Sequence, residues 1–243
     1  MAKPTGTEIW DRWAKTDPLW AILSWDGKQD AWKWEDFMAT GRDDVARFLK
    51  FIHDLGLPLR PERALDFGCG VGRLSRALAE TFAHVEGVDA STDLIRLAIA
   101  HNDRPGRIAF RVNDLTLPFP NEYFDLVFSW LVLQHIPPGE QLRYLAEFAR
   151  VVRPGGLLAF QFYGFPVRFR GRVGAALPRP LMALYRTLRY QARRTDVYSL
   201  HPDRVRTHLA KFDVSIAGER REHDHRGAYA SYYFVAQKLL HDP

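Results

Sequence analysis

Ala64-Leu65-Asp66-Phe67-Gly68-Cys69-Gly70-Val71-Gly72-Arg73 decides how this chain is read. A short apolar run, Ala64–Phe67, stops at glycines spaced two apart, and a helical pattern, Leu74–Phe82, follows. Strand, glycine turn and helix in that order bring backbone N–H groups and the positive end of a helix onto a ligand. Glycine suits such a turn because the missing Cβ lets the backbone come close to that ligand.

Downstream the alternation continues. Val85–Val88 reads as a strand, and Leu94–Ala100 as a helix capped by Ser91 or Thr92. Ile108–Val112 and Phe124–Phe128 read as strands, the second almost without polar residues. Glu140–Val152 is an amphipathic helix closed by Pro154-Gly155-Gly156, and Leu157–Phe162 is the next strand. A helix over His201–Lys211 and two strands, Val214–Ala217 and Tyr229–Gln237, complete the pattern as an antiparallel closing pair. The expected fold is α/β: a Rossmann-like, doubly wound sheet of seven strands, mostly parallel, with an antiparallel C-terminal hairpin. Four stretches are expected: an aromatic-rich helical lid over 1–60, a ligand-binding core over 61–163, a basic helical insert after the fifth strand over 164–198, and completion of the same sheet over 199–243. Six of the seven tryptophans fall in the first stretch, where a helix is expected over Asp43–Leu55, stopped by Gly56 and Pro58.

Composition sets outer bounds. The chain has 243 residues, 47% of them hydrophobic, enough for a sizeable core. A single cysteine, Cys69, excludes an intrachain disulfide and a cysteine zinc cluster. The first residues show no basic start with an apolar run, and no stretch approaches the roughly 18 apolar residues of a membrane span. A cytoplasmic protein is expected, and the net charge of +5 gives it a mildly basic balance.

Two ligand classes use a strand–glycine turn–helix unit: dinucleotides and S-adenosylmethionine. A dinucleotide turn takes Gly-x-Gly-x-x-Gly; here the third glycine comes one residue early and Arg73 holds the dinucleotide position. Asp66 would repel a pyrophosphate and attract a sulfonium or ammonium. Asp89 ends the second strand, 21 residues after Gly68, where a carboxylate can accept from both hydroxyls of a ribose. Asp114, after the third strand, can accept from an adenine amino group or act as a simple Asn113-Asp114 turn.

These residues resemble the class I S-adenosylmethionine-dependent methyltransferases of the small-molecule type. Leu65–Ser75 is similar to that family's first motif and Val85–Ser91 to its second. Asn113–Ile136 is similar to the adenine-contact segment and fourth strand, and Arg150–Phe160 to the helix–turn–fifth-strand element. The resemblance implies S-adenosyl-L-methionine as donor and S-adenosylhomocysteine (SAH) as product. It implies Asp66, Gly68, Gly70 and Gly72 at the methionine part, and Asp89 at the ribose. Ala90, Asp114 and Leu115 then lie beside the adenine, and Ser129 and Trp130 flank the methyl group. It also places Phe37, Gly41 and Arg42 near the cofactor's carboxylate, with Arg42 able to pair bidentately. One departure is the stretch from Asp114 to Phe119, one residue shorter than the family's usual spacing.

The sulfonium is already a good leaving group, so the protein chiefly aligns the reactants and excludes water. For a hydroxyl acceptor, His135 is the candidate general base, against a packing or capping role. No catalytic metal is expected. The fourth strand ends Phe128-Ser129-Trp130 without the acid that metal-assisted relatives carry, and His223-Asp224-His225 reads as a hairpin turn. The same strand end lacks the Pro-Pro-aromatic signal of base-modifying enzymes, so nucleic acid is not an expected partner. Residues 164–198 carry eight arginines and no acid before Asp196. Three readings stand: a cap for an anionic acceptor, a peripheral contact with an anionic membrane carrying a lipid-linked acceptor, or a solvated helix face. The expected activity is methylation of a small molecule, on a hydroxyl of a sugar, lipid-linked or natural-product acceptor. The alternatives are N-methylation, a NAD-dependent oxidoreductase, or a non-catalytic cofactor-binding partner.

Overall fold

A computed structural model describes residues 6–166, 196–223 and 229–240. Within them run α1 (Thr7–Ala14), α2 (Pro18–Ile22), α3 (Trp34–Asp54), β1 (Arg63–Phe67), α4 (Arg73–Leu78), β2 (His84–Asp89), α5 (Thr92–Ala100) and β3 (Ile108–Val112). Then come β4 (Phe124–Ser129), a 3₁₀ turn (Leu133–His135), α6 (Pro138–Val151), β5 (Val152–Pro166), α7 (Pro202–Ala210), β6 (Val214–His223) and β7 (Tyr229–Lys238). One seven-stranded sheet has the order β3-β2-β1-β4-β5-β7-β6. The first five strands run parallel, and β7 pairs antiparallel with both β5 and β6. Winding proceeds outward from β1 to β3 in one direction and from β4 to β5 in the other. The carboxyl ends of β1 and β4 therefore flank the switch point where a ligand crevice opens.

Every residue of β4 is buried, as is all of β1 after Arg63. These strands read as unbroken apolar runs because helices cover both sheet faces. On one face Phe67, Val127, Phe160 and Phe234 pack with Leu145 and Phe148 of α6 and Val205 and Leu209 of α7. On the other, Leu126 and Phe128 pack with Phe48 and Ile52 of α3 and Leu78 of α4. A third cluster joins Leu19 and Leu23 around α2 to Phe37 of α3, Val71 of the glycine turn and Leu94 of α5.

Several elements differ from expectation in extent. Helix α3 starts at Trp34, nine residues before the expected Asp43. Glu35 and Asp36 complement the dipole of its first turn, and Phe37, Met38 and Gly41 extend the buried stripe of Val45 and Phe48. Its end follows the sequence signal: Gly56 is left-handed, with Gly56 N–H bonded to His53 O and Leu57 N–H to Ile52 O, a Schellman closure. Helix α4 stops at Leu78 instead of Phe82, because Ala79–Thr81 tighten into turns, with Glu80 N–H bonded to Ala77 O and Thr81 N–H to Leu78 O. Strand β5 is longer than the expected Leu157–Phe162: Val152 pairs with Phe124 of β4, and β7 pairs with β5 from Leu157 to Pro166. The apolar stripe Leu181, Leu184, Tyr185 and Leu188, the arginines from Arg168 to Arg194, and Asp224 and His225 lie outside the described residues.

Candidate active site

The glycine turn hangs from β2. Gly68 and Cys69 both donate their N–H to Val88 O, at 2.8 and 3.0 Å, and Gly72 N–H closes the turn on Cys69 O at 2.9 Å. All three glycines are left-handed, at φ 76, 55 and 88. Side chains already occupy the positions their Cβ atoms would need: Val132 beside Gly68, Ile22 beside Gly70 and Phe110 beside Gly72. The turn is thus pressed from after β4, from α2 and from β3 at once.

Two acids face it. Asp66 is fully buried, and its Oδ2 accepts from Ser75 Oγ at 2.6 Å. Its Oδ1 has no hydrogen-bond partner among the described residues. Burial pushes the Asp66 carboxyl up to about 6; Ser75 and Arg73 oppose that rise and Asp89 adds to it. Asp89 accepts from Gly70 N–H at 3.0 Å and Ser91 N–H at 2.8 Å. Burial also carries Asp89 to about 6 against those two bonds, and Asp11 pushes in the same direction as burial. The register explains the meeting: Phe67 pairs with Val88 and Asp89 with Val112, so the ends of β1, β2 and β3 lie side by side.

Ala90 and Ser91 follow Asp89 at the start of α5, where Ser91 Oγ accepts from Leu94 N–H at 3.2 Å as the helix cap. The same hydroxyl donates to Asp11 of α1 at 2.6 Å, fastening the N-terminal segment to α5. Asp114 uses Oδ1 to accept from Thr116 N–H at 2.8 Å, so it forms an Asx turn. Its carbonyl accepts from Tyr144 Oη at 3.0 Å. Leu115 is partly buried beside the sheet core.

The other half of the crevice lies beyond β4. Ser129 is fully buried, and its Oγ has no partner among the described residues. Trp130 turns away into the α3 face, 4.8 Å from the Phe48 ring and 5.1 Å from the Tyr233 ring, and acts as a core residue. His135 Nδ1 lies 3.0 Å from the Asp196 carbonyl. A carbonyl can only accept, so Nδ1 carries the proton and the neutral ring keeps its lone pair on Nε2. Trp10 of α1 meets the imidazole edge-on at 5.2 Å. The surrounding protein desolvates the ring and lowers it to about 4, although part of its surface stays accessible. Tyr198 N–H bonds to Gln134 O at 2.7 Å and Leu200 N–H to Tyr163 O at 2.9 Å. The stretch that follows the arginine-rich segment is therefore sewn onto the ends of β4 and β5.

Arg42 does not join these residues. Its Nε pairs with Glu80 at 2.9 Å, past the end of α4 remote from the glycine turn, and its side chain is 59% exposed. The α3 periodicity causes this: Phe37 and Gly41 face inward, with Gly41 against the Arg73 carbonyl, and Arg42 lies one step round the helix. Arg73 is the buried arginine here, bonded to Asp44 at 2.6 Å and to Thr40 at 3.1 Å. The sequence reading also missed Ser75 and Gln161. For Gln161 the signal is a lone polar residue in the apolar run Leu157–Phe162; Ser75, between Leu74 and Arg76, carries none.

Comparisons with known proteins bear on the family and the fold. Residues 65–160 match a family described as a methyltransferase domain. Phosphoethanolamine N-methyltransferase 2 of Caenorhabditis elegans is 32% identical over 142 residues, covering 56% of this chain and 32% of that protein. The 27-O-demethylrifamycin SV methyltransferase of Amycolatopsis mediterranei (strain S699) is 33% identical over 172 residues, covering 65% of this chain and 59% of that one. The chain thus spans from a third to three-fifths of the length of these curated relatives. Magnesium protoporphyrin IX methyltransferase from Synechocystis PCC 6803, solved with bound SAH, superposes with a TM-score of 0.60 over 96% of this chain and 94% of its own. At 22% identity that likeness is one of fold.

Proposed function

Starting from residues 65–160 as a methyltransferase domain of the S-adenosylmethionine-dependent class, we propose that this chain transfers the methyl group of S-adenosylmethionine to an oxygen of a small-molecule acceptor. The observation that carries the reading is the Asp66–Asp89 pair. One fully buried acid with an oxygen that has no partner among the described residues, and a second, half-buried one beside it, leave a negative site that a cation relieves and a pyrophosphate aggravates. A sulfonium and an ammonium fit that site, and the same charge argues against a NAD-dependent reaction. When bound, S-adenosylmethionine supplies a methyl group on a positively charged sulfur that leaves readily.

The chain's residues then have distinct tasks. Gly68, Gly70 and Gly72 present the turn to the methionine part, and Asp89, Ala90, Asp114 and Leu115 receive the nucleoside. The N-terminal segment, fastened by Asp11 and Ile22, covers the turn as a lid and excludes water. Ser129 borders the methyl group. His135, lowered to about 4 by desolvation, is neutral at pH 7 and holds its lone pair on Nε2, which makes it a weak general base. A weak base suits an oxygen that ionises readily, a phenol or a carboxylate, more than the hydroxyl of a sugar. The same observation favours N-methylation as the second reading, because a neutral amine needs no base before transfer. An anionic or lipid-linked acceptor is supported by the arginines of 164–198, whose flanking residues reach the ends of β4 and β5. Among the described residues no helix is long and apolar enough to cross a membrane.

Calorimetric titration with SAH and with NADH in parallel tests the donor. Binding of SAH alone supports the reading, and binding of NADH alone refutes it. An NMR titration of His135 should give a midpoint near 4, and a midpoint near 6.5 would restore it as a base for alcohols.

A further inference from the structure

Leu131, the second residue after β4, has φ +61. Asp30, Glu122 and Asp213 are the other non-glycine residues with positive φ among those described, so Leu131 is the apolar, branched one of the set. A lone residue of this kind in the left-handed basin is disfavoured about five- to thirtyfold in population, so something must hold it there.

Gln161 provides the hold. It sits in β5, fully buried, and its Oε1 accepts from Leu131 N–H at 3.1 Å. A backbone N–H can only donate, so Leu131 fixes which way the amide faces, and Nε2 is left to donate to Ser231 Oγ of β7 at 2.8 Å. Leu131 is also packed between the α3 core and the N-terminal cluster. The next residue, Val132, fills the space beside Gly68 where a Cβ would sit, and its carbonyl accepts His135 N–H at 2.9 Å. One strained backbone position therefore sets both the wall against the glycine turn and the start of the turn that carries His135.

We infer that Gln161 is a positioning residue: through Leu131 it holds the post-β4 turn against Gly68, and so shapes the place where donor and acceptor meet. The inference rests on the reading of this crevice as a methyl-donor site. Sequence distance hid the device, since Gln161 lies 30 residues from Leu131 and 70 from Ser231.

A double-mutant cycle read by calorimetric titration with SAH tests it. Gln161→Leu should weaken SAH binding about tenfold, because the turn relaxes out of the left-handed basin. Gln161→Glu keeps an oxygen toward Leu131 N–H and should recover most of that affinity. Leu131→Gly adopts the same φ without strain, so in that background Gln161→Leu should change affinity less than about twofold. If Gln161→Leu does not fold, Ser231→Ala serves the same cycle, with a loss of about threefold that Leu131→Gly removes. Equal losses in both backgrounds, or no loss from any of these variants, overturn the positioning role and leave the donor reading intact. Failure of the wild-type protein to bind SAH overturns both.

Discussion

The two halves of the crevice are built by different means. The half proposed for the donor is local: Asp66, the three glycines and Ser75 lie within ten residues, and Asp89 follows one strand later. Left-handed glycines shape its turn, and their N–H groups are spent on Val88 O, Asp89 Oδ2 and Cys69 O. The half beyond β4 is assembled from distance. Leu131 answers to Gln161 and Gln161 to Ser231, while His135 answers to Asp196 across 61 positions. A binding motif can be short when one ligand always meets the same backbone. A pocket for a varied acceptor draws on side chains from several elements, which the chain order scatters.

Four experiments would break or sharpen that contrast, taken from the largest effect down. Gly70→Val forces a branched residue into φ 55 with the Ile22 Cδ1 atom only 2.7 Å from the new Cβ. It should lower SAH affinity about a hundredfold or more by calorimetry. Unchanged binding would remove the turn from the donor site. Asp89→Ala loses both the ribose partner and the acceptor for Gly70 N–H. It should weaken SAH by roughly 1–3 kcal/mol.

The pH dependence comes next. Asp66 and Asp89 must be ionised to favour a sulfonium, and burial has raised both to about 6. Affinity for S-adenosylmethionine should therefore rise with pH, by about fourfold per acid between pH 5.5 and 7.5, and level off above that. The unliganded protein has the opposite sign. Its folded carboxyls hold protons more tightly than the unfolded chain does, so its stability falls as pH rises from about 4 to about 6 and is then flat. Thermal melting with and without ligand reads both trends. A ligand-bound protein that also loses stability over that range would count against charge pairing at these acids. Smallest of all, Arg42→Ala should change SAH affinity less than about twofold, because that side chain is an exposed partner of Glu80. A tenfold loss would return Arg42 to the site.

Much of this was legible before any coordinates. The apolar runs on either side of the glycine turn, ending at Asp66-Phe67 and at Asp89, marked the first two strands. The alternation of apolar runs with amphipathic helices fixed the number and kind of the remaining strands. Gly56 as a helix stop also followed from local chemistry, while the choice between Ser91 and Thr92 as the α5 cap fell to Ser91 in the structure. Arg42 was misplaced because a helix turns by about 100° per residue, and only the phase of α3, set by Phe37 and Gly41, says which neighbour faces in.

From the sequence alone came the doubly wound sheet and the glycine turn, because backbone conformation and apolar periodicity are properties of neighbours along the chain. Tertiary structure decided the rest: that Asp66 has one oxygen without a partner among the described residues, that His135 is partly desolvated and held through Nδ1, and that Gln161 Oε1 accepts from Leu131 N–H. Each of those depends on which remote group arrives to share a proton or exclude solvent, and dielectric and partner geometry exist only once the strands have come together.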